Sequence, residues 1–194
     1  MRKLTASLFM SLDGVVDSPQ DWHFPYMNEE MMGVVEATMQ STDGLLLGRV
    51  TYQEWAGFWP DQPSDDGMAD FINGTPKFVA STTLGSVNWE NSTILTGDVA
   101  DAVADLKGQA GKDIAINGSG TLVRSLLAAG LVDELQLLVH PIVVGRGKHL
   151  FEQGEEDIGL ELAGSETFGT GVLNLTYKPA AAQRAAAEAK GVPA

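Results

Sequence analysis

Two short glycine-bearing segments of the sequence have the residue types that bind phosphate. One is Gly48-Arg49-Val50-Thr51-Tyr52, directly after the apolar run 45–47, and the other is Asn117-Gly118-Ser119-Gly120-Thr121, directly after the apolar run 114–116. A strand that runs into a glycine turn and then a helix presents free backbone N–H groups at the helix start, and these groups attract phosphate together with the helix dipole. Two such turns could hold both ends of a dinucleotide. Each turn alone is also typical of an ordinary connection between a strand and a helix.

The charge of the chain makes any positive site informative. The 194 residues carry a formal net charge of −14. Such a surface repels nucleic acid and anionic membranes, so we expect neither as a partner. It also repels anionic cofactors at long range, and a phosphate site must therefore be locally positive. Arg49 and Arg124 are among the few cations that could provide this charge.

Several classes of site are excluded by composition and spacing. The chain has no cysteine, which excludes disulfides, thiolate catalysis and the usual structural zinc, and which fits a cytoplasmic protein. The three histidines (23, 140 and 149) are far apart and have no metal-ligand spacing, so we expect no metal. Ser119 is not in a Gly-x-Ser-x-Gly turn because residue 117 is asparagine, and no hydrolase nucleophile is visible. No segment approaches the roughly 20 apolar residues of a membrane span.

Strands and helices alternate over the first two thirds of the chain, and strands then follow strands. The patterns predict strands over 2–10, 45–47, 77–80, 93–95, 114–116 and 134–144, and two antiparallel strands over 160–167 and 172–177. They predict helices over 29–41, 51–59, a short stretch ending at 72, 99–108 and 121–129. This order predicts an α/β fold: a single-domain three-layer sandwich with a mostly parallel mixed sheet and antiparallel C-terminal strands. Residues 1–179 would form the domain, and 180–194 an alanine-rich tail.

The second glycine turn is not a full Rossmann fingerprint. Val123 stands where the third glycine would be, and the turn comes late in the chain. No Walker A sequence is present either, because Gly147-Lys148 is followed by His149 and lacks the leading spacing.

Five segments in chain order carry a more specific pattern. They are Ser11-Leu12-Asp13-Gly14; Gly48 to Tyr52; Phe78-Val79-Ala80-Ser81-Thr82; Ile116 to Leu122; and Val132-Asp133-Glu134-Leu135, leading to His140-Pro141-Ile142-Val143-Val144-Gly145-Arg146-Gly147. The order of these segments resembles the dihydrofolate reductase-like superfamily. Within it, the sequence is most similar to the C-terminal reductase domain of the bifunctional riboflavin-biosynthesis deaminase/reductase and its stand-alone relatives. The resemblance extends over nearly all of residues 2–178.

The resemblance implies an NADPH-dependent reductase that transfers hydride to a small C=N or C=O substrate. Arg49 would contact the adenosine 2′-phosphate or the pyrophosphate, and the backbone of the second turn would surround the pyrophosphate. The implied cofactor-binding residues are Gly48, Arg49, Thr51, Tyr52, Ser81, Thr82, Asn117, Gly118, Ser119, Gly120, Thr121 and Leu122. The implied nicotinamide and substrate pocket contains Asp13, Gly14, Trp22 and Met32. A homodimer is a further expectation from the family.

Other interpretations of these residues stay open. Arg49 could form a surface ion pair, Ser81 and Thr82 could be plain turn residues, the Asp13 side chain could hold a tight turn, and Trp22 could simply pack. The protein as a whole could be a nucleotide-binding module without catalysis, or a structural or interaction protein on the same fold.

The sequence differs from the family that it resembles at the positions where the substrates of that family bind. Dihydrofolate reductases place an acidic residue on the first helix, where this chain has Met32. Glu29 or Glu30 could replace that residue only if the helix is shifted. The loop 17–27 offers no cation for a substrate phosphate except His23. Both departures argue against dihydrofolate and the riboflavin intermediate as substrates.

Overall fold

Eight strands form one sheet in the computed structural model, which describes residues 1–63, 67–152, 157–181 and 183. The strands are β1 (Leu4–Ser11), β2 (Thr42–Gly48), β3 (Lys77–Ala80), β4 (Ser92–Ile94), β5 (Asp113–Asn117), β6 (Glu134–His140), β7 (Leu160–Thr167) and β8 (Leu173–Pro179). The helices are α1 (Glu29–Ser41), α2 (Arg49–Ala56), α3 (Gly67–Gly74), α4 (Val99–Gly108) and α5 (Gly120–Ala128). Of the tail expected over 180–194, residues 182 and 184–194 lie outside the described part of the chain.

The strand order across the sheet is β4-β3-β2-β5-β1-β6-β8-β7. Neighbours from β4 to β6 are parallel, whereas β8 is antiparallel to β6 and β7 is antiparallel to β8. Parallel neighbours need crossover connections, and helices supply most of them here. A mostly parallel sheet with an antiparallel C-terminal edge confirms the predicted fold class.

Helices cover the two faces of the sheet. Leu46 packs in one apolar cluster with Val103 of α4, whereas its neighbour Leu45 packs in another with Tyr52 of α2. Alternate strand residues point to opposite faces, so α4 and α2 lie on opposite sides of the sheet. Right-handed crossovers place α1 with α2 and α5 with α4. The result is the predicted three-layer sandwich.

Two predicted elements end earlier than expected. The strand predicted over 134–144 stops at His140, because Pro141 has no N–H for the ladder and the Ile142 N–H turns back to the His140 carbonyl at 2.8 Å. The helix predicted to reach residue 59 stops at Ala56, where Gly57 follows. In both cases the element ends next to a proline or a glycine, although the apolar pattern continues beyond it. Apolar periodicity alone therefore predicts an end that is too late.

A buried lysine ends helix α3. The Lys77 side chain is fully buried, and its ammonium donates to the carbonyls of Ile72, Asn73 and Thr75 at 2.8–2.9 Å. The ammonium also lies 4.3 Å from the centre of a Trp89 ring. Burial lowers the pKa of Lys77 to about 8, against the opposing attraction of Glu90. The Asn73 carbonyl also accepts from the Asn91 side-chain amide at 3.1 Å, whereas Lys77 supplies the donor to the carbonyls of Ile72 and Thr75.

We expect Lys77→Met to lower the free energy of unfolding by about 3 kcal/mol, because methionine fills the space and leaves the Ile72 and Thr75 carbonyls without this donor. Urea unfolding at pH 7 measures this loss. Lys148→Met, at an exposed position, is the matched control and should change stability by less than about 0.5 kcal/mol. Equal effects of the two substitutions would contradict the assignment of Lys77 as the cap of α3.

Candidate functional site

The two glycine turns lie side by side at the carboxyl edge of the sheet. We name Gly48–Thr51 the first corner and Asn117–Thr121 the second corner. They follow the neighbouring parallel strands β2 and β5. The Gly48 N–H donates to the Ser119 hydroxyl at 2.9 Å, and the Thr51 and Ser119 hydroxyls share a hydrogen bond of 2.6 Å. One serine side chain thus joins the two corners.

Glycine is needed where the corners meet. A Cβ on Gly48 would lie 2.7 Å from the Ser119 Oγ, which is closer than real Cβ contacts allow. Gly118 has a φ of +80°, and a Cβ there would lie 3.4 Å from the Thr51 Cγ2. The first glycine permits close approach, and the second permits a left-handed backbone conformation.

The helices that begin at the corners have no side-chain cap. The N-cap side chains of α1 and α4, Asn28 and Asp98, accept hydrogen bonds from backbone N–H groups of the first helical turn. The N-cap residues of α2 and α5, Gly48 and Ser119, make no such bond. Ser119 has the hydroxyl for a cap but uses it between the corners. The N–H groups at the start of α2 and α5 are therefore left for another partner.

The chain leaves the two corners in opposite directions. Helix α2 leads from β2 towards β3, whereas α5 leads from β5 towards β6 on the other side of β1. Neighbouring strands whose connections diverge form a crevice at their carboxyl ends, and ligands of open α/β sheets bind in such crevices. The corners are at such a switch point.

The other residues that were expected at the cofactor differ in their exposure and in their hydrogen bonds. Arg49 is exposed at the start of α2 and donates to Gln53 Oε1 at 2.8 Å. Thr121 is exposed and Leu122 half-buried in the first turn of α5, and Thr82 is exposed beyond β3. The Ser81 hydroxyl accepts the N–H groups of residues 83 and 84 and so closes a turn.

Tyr52 faces away from the corners. Its ring is buried, and its hydroxyl accepts the backbone N–H groups of Asn88 and Trp89 at 3.1 and 3.2 Å. The contacts of Tyr52 tie α2 to the loop that follows β3.

The Asp13 turn closes the end of β1. The Asp13 carboxylate accepts hydrogen bonds from the Ser11 hydroxyl at 2.6 Å and from the N–H groups of Val144 and Gly145 at 3.0 and 2.8 Å. These bonds lower the pKa of Asp13 to about 2, and the bond from the Ser11 hydroxyl has the largest effect. Gly14, with a φ of +87°, completes the turn. The Asp13 side chain holds the segment after β6 against the end of β1.

The other two expected pocket residues lie in the loop before α1 and on α1 itself. Trp22 is buried, and its indole N–H donates to the Asp17 carbonyl at 3.2 Å. Met32 lies on α1 and is 36% exposed. Glu30, a candidate acid on α1, accepts from the Gly169 N–H at 2.6 Å and from the Asn28 side-chain amide at 2.7 Å. Glu30 is therefore engaged in holding the start of α1 to the β7–β8 turn.

Two histidines form a cluster at the end of β6 that was not expected from the sequence. His140 is fully buried, and Trp22 and Tyr26 present their rings edge-on to it at 5.2 and 5.6 Å. His23 stacks on Phe9 at 4.6 Å, and the two imidazole centres are 6.2 Å apart. In the sequence the histidines are separated by more than a hundred residues, and only the sheet topology brings them together.

Burial disfavours the charged form of both imidazoles in this cluster. His140 Nδ1 lies 2.8 Å from the Leu138 carbonyl and so carries the proton, while His140 Nε2 and His23 Nδ1 are buried and have no hydrogen-bond partner among the described residues. Burial lowers the pKa of His140, although the Leu138 and Met10 carbonyls oppose this. Burial, and then the charge of His140, lower the pKa of His23.

Polar residues also form a floor beside the corners that was not expected from the sequence; we name it the polar floor. Ser7 of the central strand β1 and Asn117 of β5 are paired in register, on the face that α1 and α2 cover, and both are half-exposed. A central parallel strand is normally buried and apolar on both faces. Thr5 and Ser7, at alternate positions of β1, were the signal available in the sequence.

Among the described residues, no group of three or more His, Asp or Glu side chains is placed to hold a metal ion. Within the same residues, no helix has the length and apolar character needed to cross a membrane.

Comparisons with known proteins agree on one family. Residues 2–174 match the RibD C-terminal domain family. The uncharacterized protein YyaP of Bacillus subtilis (strain 168) is 30% identical over 183 residues, which cover 91% of this chain and 94% of YyaP. The crystal structure of a putative riboflavin biosynthesis protein from Shewanella sp. PV-4 superposes with a TM-score of 0.73 at 26% identity, covering 92% of this chain and 99% of that one.

The fold also matches that of a dihydrofolate reductase. The enzyme from Enterococcus faecalis, complexed with NADP(H) and RAB-propyl, superposes with a TM-score of 0.61 at 16% identity, covering 91% of this chain and 96% of that one. At this identity the match concerns the fold alone. It confirms the dihydrofolate reductase-like architecture expected from the sequence.

We expect Gly48→Ala to cost about 2 kcal/mol of stability, because the added methyl group would overlap the Ser119 hydroxyl. In a Ser119→Gly background the same substitution should cost less than half of this, since the oxygen is gone and the φ of +58° at position 119 suits glycine. Urea unfolding of the wild type, the two single variants and the double variant gives the cost of Gly48→Ala in each background. Equal costs in the two backgrounds would contradict the contact between the corners.

We expect the free energy of unfolding to fall as the pH drops from 7.5 to 5. Burial lowers the pKa of both His140 and His23 in the folded state, so the unfolded chain takes up protons first below about pH 6.5, and each histidine contributes up to about 1.4 kcal/mol per pH unit. His140→Phe should remove about half of this slope. His149→Phe, at an exposed position, should leave it unchanged; parallel slopes in all three proteins would show that His140 does not titrate on unfolding.

Proposed function

The chain belongs to the RibD C-terminal domain family, and we propose that it is an NADPH-dependent reductase that transfers hydride to a small substrate with a C=N or C=O bond. The single observation that carries the proposal is the pair of uncapped helix starts at the two joined corners. Their free N–H groups and aligned dipoles suit the pyrophosphate of a dinucleotide. The dihydrofolate reductase of the same fold, which was solved with NADP(H), supports the choice of cofactor.

The charge at the first corner supports a phosphorylated nucleotide. Arg49 is exposed, and within the described residues its side chain hydrogen-bonds to the neutral Gln53 and to no carboxylate. In a chain with a net charge of −14, this guanidinium beside a helix start is a local positive site. We assign Arg49 to the 2′-phosphate, to which a guanidinium can donate two hydrogen bonds.

NADPH, when bound, supplies the hydride, and the protein must position it and exclude water. The Asp13 turn suits the second task, because its carboxylate holds the segment after β6 over the end of β1, next to the corners. Glu30, one of the two candidate acids of α1, is engaged by Gly169 and Asn28, and Glu29 is exposed at the start of the helix. We propose that water supplies the proton.

Calorimetry with NADPH, followed by its absorbance decay with a panel of cyclic imines and ketones, tests the function. We expect NADPH to bind and to be oxidised by at least one compound of the panel. Binding without oxidation by any compound would favour a nucleotide-binding module. Absence of binding at millimolar NADPH would favour a structural or interaction protein and would refute the proposal.

We expect Arg49→Ala to weaken NADPH binding about 10- to 100-fold and to leave NADH binding within about threefold, because only NADPH carries the 2′-phosphate. Calorimetry with both nucleotides measures the two changes. Lys112→Ala removes an exposed cation that precedes β5 at the opposite edge of the sheet and serves as the control. An equal loss of affinity for both nucleotides would indicate that Arg49 contacts the pyrophosphate instead of the 2′-phosphate.

A further inference from the structure

We propose that a groove beside helix α2 is a second binding site, and that its ligand is an organic cation with an apolar body. The groove lies between the C-terminal half of α2, the end of α3 and the loop 84–90, and its volume is about 710 Å³. Pockets that bind small molecules have volumes of about 300–1,000 Å³. No residue of the two corners lines the groove, so this site is separate from the one proposed for the nucleotide.

Hydrogen bonds hold the walls of the groove in place. The Tyr52 hydroxyl of α2 accepts the backbone N–H groups of Asn88 and Trp89 at 3.1 and 3.2 Å. The Trp89 indole N–H donates to Asn73 Oδ1 at 3.0 Å, which joins the loop to the end of α3. The Asn73 side-chain amide in turn donates to the Trp59 carbonyl at 2.9 Å. The three walls are tied together before a ligand arrives, and a ligand therefore loses little affinity to ordering them.

The lining combines apolar surface with polar groups that have no partner in the protein. Ala56, Pro60 and Leu84 supply apolar contacts. Ser86 and Asn88 are exposed, and within the described part of the chain their side chains make no hydrogen bond. Such a lining suits a ligand that has an apolar body and a polar end.

Glu90 gives the groove its negative charge. It is exposed, and among the described residues its carboxylate makes neither a hydrogen bond nor an ion pair. The buried Lys77 ammonium attracts Glu90, but its three hydrogens are donated to the carbonyls of Ile72, Asn73 and Thr75. The acceptor sites of the Glu90 carboxylate are therefore left for a ligand.

The end of helix α2 adds to this negative potential. The last turn of α2 and the following Gly57 border the groove, and this turn contains no basic residue. A helix carries a partial negative charge at its C-terminus. Among the described residues that line the groove there is no lysine, arginine or histidine, and the nearby Arg49 is bound to Gln53 Oε1. The groove should therefore prefer a cation to a neutral or anionic ligand of the same shape.

Three compounds with the same indole ring test the charge preference. They are tryptamine, which is a cation, tryptophol, which is neutral, and indole-3-propionate, which is an anion. Ligand-observed NMR measures their affinities for the protein. We expect tryptamine to bind about tenfold more tightly than tryptophol, and indole-3-propionate to bind least tightly. Equal affinities of tryptamine and tryptophol, or no binding of tryptamine at millimolar concentration, would overturn the proposal.

A pair of charge variants separates the groove from the acidic surface as a whole. Glu90→Gln should reduce the preference for tryptamine over tryptophol to about twofold, because the carboxylate that faces the ammonium is gone. Glu36→Gln, at an exposed position of α1, changes the net charge by the same amount and should keep the tenfold preference. Equal losses in the two variants would attribute the binding to the net charge of the chain and would overturn the proposal.

A cysteine label tests the location. The chain has no cysteine, so that Ser86→Cys can be labelled at one position with N-(1-pyrenyl)maleimide. The label at the wall of the groove should weaken tryptamine binding more than tenfold, whereas the unlabelled variant should bind within about twofold of the wild type. Ser165→Cys, at an exposed position of β7, carries the same label as the control and should bind tryptamine normally. Unchanged binding to the labelled Ser86→Cys variant would overturn the proposal.

Competition with NADPH distinguishes the groove from the corners. NADPH at millimolar concentration should not displace tryptamine, because no corner residue lines the groove. Displacement of tryptamine by NADPH would place the amine at the corners and would overturn the proposal of a second site.

Discussion

A single hydroxyl group, that of Ser119, determines the arrangement at the carboxyl edge of the sheet. It accepts the Gly48 N–H and shares a hydrogen bond with Thr51, so the connection after β2 and the connection after β5 are held together. A serine at the start of a helix would ordinarily cap that helix. Here the hydroxyl is used between two strands, and the starts of α2 and α5 keep their unsatisfied N–H groups. The same bond both builds the crevice and leaves it able to attract phosphate.

The sequence was sufficient for the architecture and for the two corners. Alternating apolar runs with glycine turns predicted the parallel sheet, and the spacing of residues 48–52 and 117–121 identified connections that the fold brings together. These features are local, since each depends on a strand, a glycine and a helix start within a few residues. The limits of β6 and α2 were missed because Pro141 and Gly57 interrupt otherwise regular apolar patterns.

The polar floor could not be predicted in the same way. Ser7 and Asn117 come from strands that are distant in sequence, and only the pairing of β1 with β5 makes them neighbours. The pairing of His23 with His140 has the same origin. Partners at such separation leave no periodic signal. What the sequence did contain was an anomaly, namely polar residues in a strand that occupies the centre of the sheet.

The position of β1 has a consequence for how the protein is made. Among the described residues, β1 pairs with β5 and β6, which begin at Asp113 and Glu134, about a hundred residues further along the chain. During synthesis the backbone of β1 therefore has no native strand partner until β5 has been made. Contacts between such distant segments slow folding and prolong the lifetime of aggregation-prone intermediates with exposed apolar surface. The nascent chain should therefore depend on chaperones more than a protein of this size whose strands pair in sequence order.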